Sequence, residues 1–220
     1  MPVKTDREYR DILCPMELRT AEDGKMTVEG YATTFNQPYE MCRAKGIIAM
    51  EQVDPHAFDE CDMSDVIMQY DHEGRVFARL SNGTLQLNAD EHGLRVIADL
   101  GGTTLGRQLY EEIEGGYTNK MSFGFTVAGD GDSRSHTRDA DGNTVITRTI
   151  RKISKLFDVS AVSLPANSAT EISTRKIGDG LIAEAEEEIR AEEEQRAEEE
   201  RRSAALEKLN KLISEVKTNE

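Results

Sequence analysis

Short runs of apolar and β-branched residues, separated by polar and glycine-rich stretches, predict a domain built mostly of strands. The predicted strands are residues 26–35, 66–70, 76–80, 84–88, 94–100, 121–128, 145–150 and 153–164. Asn82-Gly83 lies between two of these runs and predicts a hairpin, because both residue types adopt positive φ easily. The mixed polar arm of residues 1–22 has room for one edge strand.

Two segments have the pattern of helices. Apolar residues recur every fourth position from Thr103 to Glu114, and Gly115-Gly116 ends this amphipathic stretch. Asp54-Pro55 predicts a shorter helix that runs toward Cys61, with the aspartate as N-cap and the proline at the first helical position. Between the last strands, residues 129–143 are rich in Gly, Asp and Ser and predict an exposed loop or a long hairpin tip.

The C-terminal segment has a different composition. Residues 181–202 consist mainly of Ala, Glu and Arg, which favours a helix with many i,i+4 ion pairs. The last apolar residues follow a 3-4-3 spacing over only two heptads, too few for a stable coiled coil alone: Leu206, Leu209, Ile213 and Val216. We therefore predict a single solvated helix that docks on a partner.

These elements predict an α+β fold, a mainly antiparallel closed β-barrel flanked by helices and followed by a charged helical tail. We place the barrel domain at residues 1–175 and the acidic tail at residues 176–220. No dinucleotide-binding or phosphate-loop glycine pattern is present, so the sequence predicts no cofactor.

Composition excludes several classes of function. The net charge is −15, of which residues 179–220 carry −7, and this argues against nonspecific binding to nucleic acid. No apolar stretch reaches the roughly 18 residues that span a bilayer, so we expect no membrane association. Cys14, Cys42 and Cys61 are an odd number without metal-type spacing, and no signal peptide is apparent, which predicts a reducing, intracellular setting.

Three residues suggest hydrolytic chemistry. Ser122 lies at the start of a predicted buried strand, His72 directly follows another, and Asp158 lies within an apolar run. A serine hydroxyl needs a base within hydrogen-bond reach, and the base benefits from a third group that fixes its tautomer. We therefore predict a serine hydrolase in which strands distant in sequence bring these three side chains together.

Each of these residues also has a plain structural interpretation. Most serines in strands are only small residues, and most histidines at strand ends lie on the surface. A buried Asp158 needs a partner, which an ion pair with a nearby cation would supply: Arg151, Lys152 or Lys155. Neither Cys42 nor Cys61 has a setting that favours a nucleophile. A metal site is disfavoured as well, because adjacent side chains on an extended chain point apart, as in Asp71-His72-Glu73.

An ordered set of short motifs over residues 26–170 resembles the prohead (capsid maturation) protease family of tailed bacteriophages. The motifs are EGYA (29–32), VDPHAF (53–58), YDHE (70–73), GRQLY (106–110), MSFGF (121–125), FDVS (157–160) and LPAN (164–167). Members of that family are serine endopeptidases related in fold to the herpesvirus assemblins, a β-barrel ringed by helices. The chain departs from the family pattern at Asp71, where Asn is frequent, at Glu73, where Asp is frequent, and at Asp158, where Glu is frequent.

The resemblance implies that Ser122 is the nucleophile, His72 the general base and Asp158 the third member. It also implies an endopeptidase that cleaves scaffold segments, capsid-protein segments and itself inside the assembling procapsid, in the host cytoplasm. Self-cleavage near residues 170–185 would remove the tail. Both a monomer and a homodimer stay open as the active form.

Two rival functions remain. One is a non-catalytic assembly or scaffolding protein in which Ser122 is only a strand residue. The other is an esterase or another serine hydrolase, which is less favoured because the sequence around Ser122 is KMSFG and lacks the Gly-x-Ser-x-Gly elbow.

Overall fold

The computed structural model describes residues 7–12, 16–20, 25–162 and 168–218. Its strands are β1 (Glu8–Ile12), β2 (Glu17–Thr20), β3 (Met26–Thr34), β4 (Tyr39–Ala44), β5 (Ile47–Val53), β6 (Ile67–Tyr70), β7 (Glu73–Arg79), β8 (Leu85–Ala89), β9 (Gly93–Asp99), β10 (Lys120–Val127), β11 (Asp132–Arg138), β12 (Thr144–Ile150) and β13 (Ile153–Val162). The helices are α1 (Thr104–Glu114) and α2 (Ser168–Thr218).

The strands of the described residues form three sheets rather than one closed barrel. The orders are β1-β10-β13-β6-β7 in the five-stranded sheet, and β11-β12-β5-β4 and β2-β3-β9-β8 in the two four-stranded sheets. The predicted closed barrel is therefore wrong. Each sheet keeps two edge strands, and the pairs β5–β12 and β6–β13 are parallel.

The predicted hairpin around Asn82-Gly83 is also wrong. β7 pairs with β6, whereas β8 pairs with β9 in a different sheet. A short 3₁₀ turn at Leu80–Asn82 joins them, and only Gly83, at φ +76°, adopts the left-handed conformation. The type I′ hairpin turn that Asn-Gly favours needs positive φ at both central residues, and this connection instead leads the chain from one sheet to another.

The longer predicted helix is confirmed, and the shorter one is wrong. Thr103 is the N-cap of α1 and accepts a hydrogen bond from the Gly106 N–H at 2.9 Å. The segment that starts at Asp54-Pro55 forms successive turns instead of a helix, with bonds such as Cys61 N–H to Phe58 C=O. Residues 129–143 contain β11, which pairs with β12 as one arm of a long hairpin.

The main core packs apolar side chains from the sheets and α1 against one another. Phe123 and Phe125 of β10 point into this core with their rings stacked at 4.5 Å, and both are fully buried. Because side chains alternate along a strand, Ser122 and Gly124 lie on the other face of β10. The packing of the two phenylalanines therefore fixes the orientation of Ser122, which directly precedes Phe123 on the strand.

A buried network of charges joins β1 to the sheet that contains β5 and β12. Glu51 of β5 bonds to Arg10 of β1, with Nη2 to Oε2 at 2.9 Å, and to Arg148 of β12 at 2.7 Å. Glu8 of β1 also accepts from Arg148, at 2.7 Å. Burial raises the pKa of Glu51, but the two guanidinium groups outweigh it and hold that pKa below its ordinary value. The network thus anchors β1 through charged groups.

The first part of α2 belongs to the packed structure. Leu181, Ile182 and Ala185 are buried against Ile47, Ala49 and Ile146 of β5 and β12, which forms a second, smaller core. From residue 190 to 207 the described side chains of α2 are exposed. The boundary predicted at 175/176 falls inside this helix. No helix among the described residues is apolar over a length that would cross a membrane.

We expect that removal of the buried part of α2 destabilises the fold and that removal of the exposed part does not. A chain that ends at residue 178 loses Leu181 and Ile182, so its free energy of unfolding should fall by about 3–6 kcal/mol, at about 1.5–3 kcal/mol for each buried side chain. A chain that ends at residue 191 keeps both contacts and should unfold in urea nearly as the full chain does. Equal stability of the two shortened chains would contradict this assignment.

Candidate active site

His72 lies at the tip of a two-residue turn between β6 and β7. Tyr70 pairs with Glu73, and the two residues between them, Asp71 and His72, have φ of 49° and 59°. Positive φ at both positions is typical of a type I′ hairpin turn, and it costs about 1–2 kcal/mol for a residue other than glycine. The Asp71 N–H also donates to the Ala161 carbonyl of β13 at 3.0 Å. The main chain therefore holds the imidazole over β13.

Ser122 and Asp158 lie within adjacent strands rather than at strand ends. Ser122 of β10 is opposite Ser160 of β13, and Gly124 is opposite Asp158. Paired residues share a face of the sheet, so these side chains all lie on the face turned away from the main core. Strand pairing thus brings together residues that are far apart in sequence.

His72 connects the other two side chains. Its Nδ1 lies 2.5 Å from Asp158 Oδ1, and its Nε2 lies 2.5 Å from Ser122 Oγ. Because a carboxylate can only accept, Nδ1 carries the proton and Nε2 is free to accept from the serine hydroxyl. The Ser122 residue and the His72 and Asp158 side chains are at most 4% exposed.

Ser160 is a fourth member of this cluster, and sequence reasoning assigned it no role. Its hydroxyl donates to Asp158 Oδ1 at 3.1 Å, and its oxygen lies 3.2 Å from His72 Nδ1. The serine therefore helps to hold the carboxylate and provides a second acceptor for the Nδ1 proton. The FDVS motif contains both Asp158 and Ser160. Only the strand geometry shows that the Ser160 hydroxyl and the His72 ring bond to the same oxygen, Asp158 Oδ1.

Gly124 provides the space for the other carboxylate oxygen. A Cβ atom at this position would lie 2.5 Å from Asp158 Oδ2 and 2.9 Å from Tyr9 Cε1, closer than atoms tolerate. Asp158 Oδ2 makes no hydrogen bond within the described residues. The nearest cation is Arg7, whose Nη1 lies 3.7 Å away and whose guanidinium stacks on the Phe157 ring at 3.7 Å.

Strand β1 brings Tyr9 and Arg7 to the site. The Tyr9 ring meets the His72 ring edge to face, with centroids 4.5 Å apart. Such aromatic pairs contribute about 0.5–1.5 kcal/mol beyond area burial. Sequence analysis allowed an edge strand in this arm but did not predict that it contacts the site.

The cations proposed as alternative ion-pair partners of Asp158 are engaged elsewhere or exposed. Lys152 pairs with Glu60, Lys155 pairs with Asp62, and Arg151 is exposed.

Burial raises the pKa of Cys61 to about 11, so this thiol is a poor source of thiolate near neutral pH. The described part of the chain contains no group of three His, Cys, Asp or Glu residues placed to hold a metal ion.

A serine, an imidazole and a carboxylate in this order of contact are the arrangement that serine hydrolases use. Residues 15–181 match the family model of the caudovirus prohead serine proteases. The match covers well over half of the chain, and the chain belongs to this family, which confirms the resemblance seen in the sequence. β1 precedes the matched range.

Among solved structures, the chain is similar to the capsid assembly protease of bacteriophage T4. The two share 12% sequence identity with a TM-score of 0.40, over 71% of this chain and 97% of that chain. No curated protein sequence matches the chain significantly.

Proposed function

We propose that the chain is a serine endopeptidase that acts inside the assembling procapsid of a tailed phage, within the host cell. Its substrates would be scaffold and capsid-protein segments, together with the chain itself. Membership of the prohead serine protease family supports the class of reaction. The observation that carries the proposal is the His72 imidazole, which contacts Ser122 Oγ on one side and Asp158 Oδ1 on the other.

In this mechanism Ser122 Oγ attacks the scissile carbonyl while His72 Nε2 takes the hydroxyl proton. Asp158 keeps the Nδ1 proton in place and stabilises the imidazolium that forms. His72 then protonates the leaving amine, and a water molecule, activated in the same way, hydrolyses the acyl-enzyme. Asp158 is shorter than the glutamate frequent in the family, and the close approach of the His72 turn to β13 offsets this shorter reach.

A serine-directed fluorophosphonate reagent tests the proposal directly. We expect it to stop cleavage of capsid and scaffold proteins and to leave one adduct per chain, located on Ser122 by mass spectrometry of the digested protein. Cleavage that continues in a fully modified chain would contradict the proposal and assign the reaction to another nucleophile. Absence of both cleavage and an adduct on Ser122 would favour the non-catalytic assembly protein.

Ser160 is expected to act as a positioning residue. Because its hydroxyl bonds to a charged carboxylate, Ser160→Ala should lower kcat about 10- to 100-fold with little change in KM, a loss typical of one hydrogen bond to a charged group. The matched control is Ser154→Ala. Ser154 is an exposed serine of the same strand, and its hydroxyl bonds to the hydroxyl and the carbonyl oxygen of Thr126. A kcat that is equal in the two variants would show that Ser160 is only a packing residue.

The outer part of α2 is proposed to direct packaging. Its acidic surface suits a basic or helical scaffold segment, and it lies beyond the second core. A chain ending at residue 191 should cleave peptides as the full chain does but enter procapsids less. Self-cleavage at residues 170–185 falls within α2, so the start of this helix must unwind before an extended segment can reach the site.

A further inference from the structure

Catalysis at Ser122 needs a hydrogen-bond donor that His72 and Asp158 do not supply. When Ser122 Oγ bonds to the carbonyl carbon of a substrate, an electron pair moves onto the carbonyl oxygen, which becomes an oxyanion. Serine hydrolases stabilise this oxyanion with preorganised donors, and loss of one donor lowers kcat about 100- to 1,000-fold. In this site His72 Nδ1 bonds to Asp158, and His72 Nε2 faces the serine hydroxyl.

The main chain of β10 is poorly placed to provide the donor. Ser122 is opposite Ser160 of β13 on one side and residue 11 of β1 on the other, so β10 is an inner strand. The N–H groups of such a strand point toward the neighbouring strands. The serine hydroxyl projects from the face of the sheet instead. A side chain on that same face is therefore the better candidate.

Lys120 projects from this face beside the nucleophile. It begins β10, two positions before Ser122. Side chains alternate along a strand, so the two residues share a face, with Cα atoms about 7 Å apart. Along β13, Asp158 lies on one side of the row of Ser122, and Val162, the partner of Lys120, lies on the other side. Lys120 thus flanks Ser122 on the side away from Asp158.

Two other donors on this face lie on the Asp158 side of the site. The Ser160 hydroxyl donates to Asp158 Oδ1, and the Arg7 guanidinium stacks on Phe157 with Nη1 3.7 Å from Asp158 Oδ2. Lys120 is half-buried and forms no ion pair with any side chain that the structure describes. Its ammonium has three N–H donors on a flexible four-carbon stem, which is long enough to reach an oxygen beside Ser122.

We infer that Lys120 is a catalytic residue that donates a hydrogen bond from Nζ to the oxyanion; this role rests on the proposed function. As the bond from Ser122 Oγ to the carbonyl carbon forms, the hydroxyl proton moves to His72 Nε2 and negative charge collects on the oxygen beside Lys120. The electron pair then returns to the carbonyl, the C–N bond breaks, and His72 protonates the leaving amine. Lys120 keeps its proton throughout.

The variant Lys120→Met tests this role, because methionine keeps an unbranched side chain and removes the ammonium. We expect kcat for cleavage of a capsid-protein segment to fall about 100- to 1,000-fold with little change in KM, since the interaction is made only in the transition state. The matched control is Lys152→Met, which alters an exposed lysine paired with Glu60 and should leave kcat unchanged. An unchanged kcat in folded Lys120→Met, or a change in KM alone, would overturn the inference.

A fluorophosphonate with an uncharged alkyl chain gives a second readout that needs no substrate sequence. Ser122 Oγ bonds to phosphorus, its proton moves to His72 and fluoride leaves, while charge collects on the phosphoryl oxygen. Modification should therefore slow in Lys120→Met by about the same factor as kcat and stay unchanged in Lys152→Met. Equal rates in the two variants would overturn the inference and assign Lys120 to contact with a substrate side chain. No adduct on Ser122 in the wild-type chain would instead contradict the proposed function itself.

Two further variants cover the case in which Lys120→Met does not fold. Lys120→Arg keeps the charge and the donors, so its kcat should stay within about tenfold of wild type. Lys120→Gln keeps a polar side chain without the charge and should be slower than Lys120→Arg, because hydrogen bonds from charged donors are the stronger ones. Urea denaturation shows which variants are folded. A folded Lys120→Gln variant as fast as wild type would overturn the inference.

Discussion

Ser122→Ala is expected to lower kcat by roughly a million-fold, the loss typical of removing the nucleophile from such an arrangement. The reason is that the variant has no oxygen to form the acyl-enzyme, although strand pairing and burial are preserved. The measurement is cleavage of a capsid-protein segment over time, with Ser154→Ala as the control for handling and folding.

His72→Ala should have nearly the same effect, and the double variant should be little worse than either single one. Residues that act as a unit show such non-additive losses. If the two losses multiplied, the side chains would act independently and the proposed proton transfer from Ser122 to His72 would be wrong.

Glu51→Gln is expected to lower the free energy of unfolding by about 3–5 kcal/mol, as removal of one partner from a buried ion pair does. The amide keeps the size of the side chain but removes the fully buried carboxylate that Arg10 and Arg148 share, so that Glu8 is the remaining carboxylate that bonds to both. Urea denaturation measures the change. The matched control is Glu40→Gln on the neighbouring strand, where the pair with Arg43 is exposed and little change is expected.

The same network predicts a dependence of stability on pH. Because the folded state holds the pKa of Glu51 below its ordinary value near 4.5, this carboxylate stabilises the fold fully above that pH. The contribution is lost as the pH falls through the lowered pKa. Wild type should lose stability over this acidic range, whereas Glu51→Gln should lose less. Parallel losses in the two proteins would assign the acid sensitivity to other groups.

Local patterns in the sequence were sufficient for α1 and for most strands, because spacing and capping depend on neighbouring residues. They did not predict which strands pair, since pairing depends on contacts between distant segments. β5 illustrates the limit. Its Glu51 interrupts an apolar run, and the residue is buried only because Arg10 and Arg148, 41 and 97 positions away, neutralise it.

The candidate site shows the same division. Ser122, His72 and Asp158 could be selected because their residue types suit one reaction and their settings are unusual. The contributions of Gly124 and Ser160 depend on the register between β10 and β13, and that of Tyr9 depends on β1, which precedes the matched family range. No periodicity in the sequence encodes these pairings.

The turn that carries His72 has a fixed length of two residues. With Tyr70 and Glu73 paired directly, one added residue would either shift every side chain of β7 to the opposite face or push the imidazole away from β13. Natural and engineered variants of this chain should therefore accept substitutions at position 71 far more readily than any change in the length of this segment.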